Sequence, residues 1–229
     1  MDFEMPKRRY MSIMGTLEDF EFNYMIPSMI SYLSEITQVA GHCIKTQEEN
    51  LIRHFFDKSI YSELGLPAKY GAYVKDDIYL HYKPSSFDDL VRIEGLAHGA
   101  GTWYSNAKSV FADKKCEFDK LISVKEDISA YLHYAGMKID DASAVEEDVS
   151  SGRVSMGASD RWDRLREKMM IHGIPHWYIW SCTNILRLYT KAEMTERVNN
   201  QLKLAFYKDR YPEIYDRVLK SHQIENFLK

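Results

Sequence analysis

Apolar positions recur along most of this chain at helical spacing. Between Pro27 and residue 44, Met29, Ile30, Leu33, Ile36, Ala40 and Cys43 share one face, and Pro27 suits a first helical turn. Thr46 with Glu49 reads as a capping box. It opens a helix whose face is Leu51, Ile52, Phe55, Phe56, Ile60 and Leu64, ended by Gly65-Leu66-Pro67. The period changes at 70–82, "YGAYVKDDIYLHY". Tyr, Val and Ile dominate there, Asp76-Asp77 would make a turn, and the stretch predicts one small β-hairpin. Helical spacing returns after Ser85 or Ser86 with Phe87, Leu90, Val91 and Ile93, until Gly95, Gly99 and Gly101 interrupt it. Ser123 with Glu126 forms a second box before Ile128, Tyr131, Leu132 and Ala135, and Gly136 stops that helix.

Residues 139–160, "IDDASAVEEDVSSGRVSMGASD", are acidic, then rich in Ser and Gly, and predict an exposed loop. Helices come next at about 160–172, 175–189 and 191–209. Thr190 with Glu193 is a third box, and Pro212 begins a short last helix. The fold class is therefore mostly α, or α+β if the hairpin forms, with about seven to eight helices. The organisation expected is a helical region at 1–138, the loop at 139–160, and a second helical region at 161–229 packed on the first as one domain.

The densest apolar stretch is "IHGIPHWYIWSCTNILRLY", residues 171–189. It holds the longest run without Asp, Glu, Lys or Arg, Ile171–Leu186, too short and too polar to span a membrane. The stretch reads as a core helix carrying Trp177, Trp180, Ile185, Leu188 and Tyr189, with His172 and His176 at its start as core or capping residues. With 45% hydrophobic and 28% charged residues, the chain has a soluble globular composition. Its net charge of −4 gives no support to a general grip on nucleic acid. Cys43, Cys116 and Cys182 are too far apart for a zinc site. They predict buried free thiols and a cytoplasmic, reducing setting.

Candidate chemistry is sparse. Arg and His stand four to six residues apart in Arg92/His98, Arg166/His172 and Arg217/His222, a spacing that resembles the HEPN ribonucleases and implies metal-independent RNA cleavage. With 8 His, chance alone supplies about one such pair. "GLAHGAGTWYS", residues 95–105, is the most pocket-like loop, because Gly99 and Gly101 permit close backbone approach. It matches neither a P-loop nor a dinucleotide fingerprint. Glu94 and His98 would share a helix face, but one such pair makes no di-metal site. No metal site is expected.

Read in order, "KTQEENLIRHFF" at 45–56, "IYLHYKPSSFDDLVRIEGLAHG" at 78–99 and "LREKMMIHGIPHWYIWSCTNILRLYTKAEMTERVNNQLKLAFYKDRYP" at 165–212 resemble the flavin-dependent thymidylate synthases, the ThyX family. That resemblance implies FAD and dUMP as ligands, with His98, Arg92, Gly99, Gly101 and Arg166 at the site. The family signature is Arg-His-Arg with Ser, Asn-Glu, Ser and Arg-Tyr beyond it at set spacing, and only His98 matches it here. The residues favour a non-enzymatic assembly or adaptor protein, viral or phage in kind, acting through a protein partner or self-association, with no cofactor and no membrane. The alternatives are a ThyX-like nucleotide- and flavin-binding enzyme or pseudoenzyme using Arg92, His98 and Arg166, and a HEPN-type ribonuclease using Arg166 and His172.

Overall fold

A computed structural model describes residues 21–53, 55, 64–66 and 70–222. These residues contain eleven α-helices and no strand: α1 (Ile26–Thr37), α2 (Glu49–Arg53), α3 (Tyr70–His81), α4 (Phe87–His98), α5 (Lys108–Ala112), α6 (Lys125–Tyr134), α7 (Ile139–Ser150), α8 (Trp162–Ile171), α9 (His176–Asn184), α10 (Lys191–Arg210) and α11 (Pro212–Ser221). The mostly α class holds.

Two segments differ from the sequence reading. Residues 70–82 form helix α3 rather than a hairpin. Val74 and Ile78, one turn apart, are both buried, and this burial outweighs the β preference of their neighbours. Residues 139–150, expected as part of the loop 139–160, form α7. Ala142, Val145 and Val149 make its buried stripe, and Asp140 and Asp141 sit in its first turn, where carboxylates favour the positive end of the helix. The acidic run is thus a helix start, and only 151–161 is a turn-rich connection.

The local signals fare better. Pro27 lies in the first turn of α1, although that helix ends at Thr37 rather than near 44. Ser86 caps α4 by accepting from Asp89 N. Thr190 and Glu193 form the reciprocal box, with Thr190 N donating to the Glu193 carboxylate at 2.7 Å and Glu193 N to Thr190 Oγ1 at 3.1 Å. At Ser123 the box is shifted by one residue. Asp127, not Glu126, accepts from Ser123 N and Val124 N. Thr46 Oγ1 donates to Asn199 Oδ1 at 2.6 Å. Most of the helix expected over 51–64 lies outside the described residues.

The chain divides into two compact units, with boundaries inside α3 and α10. The first comprises residues up to 76 together with those from 197. In it α11 packs on α1. Tyr207 Oη donates to Val39 O at 2.6 Å and Tyr215 Oη donates to Leu64 O at 2.8 Å. The second is the continuous stretch 77–196. Its core contains Ile128, Leu132, Val145, Val149, Leu165, Met169, Tyr178 and Cys182, with α6 and α7 as a closely packed pair. The Tyr131 and Tyr178 rings stack at 4.4 Å.

Candidate functional site

Of the residues singled out in the sequence, Arg92, His98, Gly99, Gly101, Arg166 and His172 lie in the second unit, and Cys43, Arg217 and His222 in the first. Arg92 donates to Leu121 O, Ser123 Oγ and Asp127 at 2.8–3.2 Å, which ties α4 to the start of α6. His98 is buried, with Nε2 2.9 Å from Glu94 Oε1 one turn back on α4. Arg166 is exposed and paired with Asp163 on its own helix, while His172 Nδ1 donates to Lys168 O. The structure brings neither Arg92 to His98 nor Arg166 to His172; each is held by other partners.

The loop at Gly99–Gly101 is stitched to its surroundings. Ala100 N donates to Arg187 O, and Leu186 N to Ala100 O, at 3.0 and 2.8 Å. Thr102 Oγ1 donates to Leu96 O, and Asn106 Nδ2 to Gly101 O. Gly101 has φ +71°, and a Cβ there would overlap Asn184 O, so the close approach expected of it is made to the chain itself. Of the three cysteines only Cys182 is buried, where desolvation pushes its thiol up to about 12; Cys43 is exposed. Among the described residues no group of three or more His, Cys, Asp or Glu could hold a metal.

Two further arrangements escaped the sequence reading. In the first, Asp148 at the end of α7 is 2% exposed and accepts from Arg153 Nε at 2.8 Å, Ser159 Oγ at 2.6 Å and Arg161 Nε at 2.8 Å. Its hydrogen bonds to Arg161 lead the causes that hold the carboxyl down at about 2. Glu147 pairs with the same two arginines. This cluster fixes the 151–161 connection.

The second is a cleft of about 710 Å³ lined by Ser109, Lys115, His176, Trp177 and Trp180. Pro175 precedes α9 with an extended backbone and sets its first residue at His176. Trp177 and Trp180 are then one turn apart and share a face. Trp177 packs partly on the core, with its ring edge-on to Tyr178 at 5.5 Å, and Trp180 is 44% exposed. The stretch read as core is therefore core on one face only. The opposite wall is α5 and the turn after it, where Lys114 at φ +53° ends the helix before Lys115. Tyr104 stands nearby in sequence on the turn Trp103–Ala107, with Lys108 Nζ 5.5 Å above its ring. The spacing of Trp177 and Trp180 after a Pro was the available signal. Lys115 could not be foreseen, since it is far away in sequence.

No known family profile matches the chain. It is 28% identical over 200 positions to the PolC-type DNA polymerase III of Halalkalibacterium halodurans, covering 82% of this chain and 14% of that protein. It is 28% identical over 197 positions to that of Listeria monocytogenes, covering 81% and 13%. It is 31% identical over 200 positions to that of Bacillus subtilis, covering 82% and 13%. These matches overturn the ThyX resemblance, the viral assembly or adaptor reading and the HEPN alternative. The ThyX comparison rested on generic apolar helix patterning, and the HEPN one on a spacing that chance supplies. Over four fifths of its length this chain is similar to a stretch making up only 13–14% of bacterial PolC-type DNA polymerase III.

Proposed function

We propose that this chain serves DNA replication as a DNA-contacting helical module, standing for one segment of a PolC-type DNA polymerase III. The observation that carries this reading is the match to three bacterial polymerases over about 80% of the chain. Nucleotidyl transfer is not assigned to the module by itself. The chain spans only 13–14% of the length of those polymerases. No helix among them is long and apolar enough to cross a membrane, and the reading keeps the chain in the cytoplasm with DNA.

The net charge of −4 requires the contact to be local. Residues 108–125 fit this, with five Lys against three acids. The test is fluorescence anisotropy of a labelled primer–template with the purified chain, alongside a primer-extension assay. The expected result is salt-sensitive binding, weakening severalfold when salt is raised from about 50 to 200 mM, with no extension. Absence of binding at low salt to any DNA form overturns the reading.

A further inference from the structure

We infer that the Trp177–Trp180 cleft is a stacking site for the unpaired bases of single-stranded DNA. The inference rests on the DNA-contacting reading above and adds the form of DNA and the residues that take it. Two tryptophans one turn apart line an open cleft of about 710 Å³, and Trp180 is 44% exposed. Large aromatic rings left at a surface in this way mark contact sites. No carboxylate stands among the lining residues, which are Ser109, Lys115, His176, Trp177 and Trp180. Lys115 is paired with Asp113 at 2.9 Å, but both side chains are about half exposed, so the pair exchanges easily with a phosphate. Exposed Lys114 adjoins it, so the cleft's positive charge rests on Lys114 and Lys115; Lys108, on the same helix as Ser109, is paired with Asp77 at 2.8 Å.

Aromatic faces flanked by cations are what a flexible single strand requires. Bases stack on the rings whatever their identity, and the backbone tracks the positive charge. In a duplex the base faces are already stacked on one another, so the cleft favours unpaired DNA.

The experiment uses the whole chain with a fluorescein-labelled oligo-dT of about 12 nucleotides, a site size in the range for such grooves, and a duplex of equal length. Trp180→Ala is the principal variant, because this ring is not in the core cluster. Trp180→Phe keeps a stacking face, and Lys115→Glu reverses the charge. Circular dichroism melting confirms that each variant is folded. The expected outcome is preference for the single strand, quenching of tryptophan fluorescence on binding, a loss of about tenfold in affinity for Trp180→Ala, near-complete retention for Trp180→Phe, and a smaller salt slope with weaker binding for Lys115→Glu.

Unchanged single-strand affinity in both Trp180→Ala and Lys115→Glu overturns the inference while leaving the DNA-contacting reading standing. Wild-type chain that binds no DNA overturns both. A concentration-dependent dimer seen by ultracentrifugation and lost in Trp180→Ala gives the cleft to a second copy, and equally overturns it.

Discussion

At the scale of single residues, Asp148 shows how burial turns an ordinary acid into a structural anchor. Three side chains donate to it, and their hydrogen bonds and positive charges hold the carboxyl at about 2 instead of 3.8. The folded state therefore binds this proton less readily than the unfolded chain does. Its stabilisation is complete above about pH 4 and declines as the pH falls towards 2. Asp148→Asn removes the charge but keeps the shape. It is expected to cost about 3 kcal/mol at neutral pH, read as a lower urea midpoint. The variant should also lose part of the stability difference between pH 7 and pH 3. An unchanged midpoint at pH 7 contradicts the assignment. None of this was legible in the sequence. Asp148 looked like one acid in a polar run, and its partners Arg153, Ser159 and Arg161 are five to thirteen residues away.

At the scale of elements, local signals were readable and competing preferences were not. The Thr190–Glu193 box needs only residues three apart, and it forms as expected. Thr190→Ala should lower stability by about 1 kcal/mol, measured by thermal unfolding, with no change in helix content beyond the first turn of α10. The misread elements have a shared cause. Residues 70–81 carry strand-forming side chains, and residues 139–150 carry loop-like polar ones. In both cases a stripe of buried apolar residues decides the outcome: Val74 and Ile78 in the first, Ala142, Val145 and Val149 in the second. The stripe in α7 is present in the sequence, but its small residues stand among acids, and the composition of the stretch is that of a loop. The opening of α9 was half readable. Ile185 and Leu188 are core as expected, although α9 ends before them at Asn184, whereas Trp177 and Trp180, expected in the core with them, line the cleft on the side of the helix opposite Tyr178, Ile179 and Cys182.

At the scale of the whole molecule, net charge is only an average. An average of −4 over 229 residues says nothing about a local excess of lysine at 108–125. Glycine at position 101 permits close approach, and the approach is made by Asn184 and Leu186 of the same unit. The Trp177–Trp180 cleft needs residues 109, 115, 176, 177 and 180 to be brought together, which only the fold reveals. The similarity to PolC-type polymerases likewise did not emerge from motifs, spacing or composition.

The division of the chain also bears on how it is made. Residues 77–196 form one uninterrupted unit, whereas the other unit needs both the segment before residue 77 and the segment from 197 onward. On the ribosome, the whole of 77–196 is synthesised before the residues that complete its neighbour. Domains generally fold as units during synthesis. The middle of the chain can thus reach its native state first, while the earlier segment waits for α11 to arrive and cover α1.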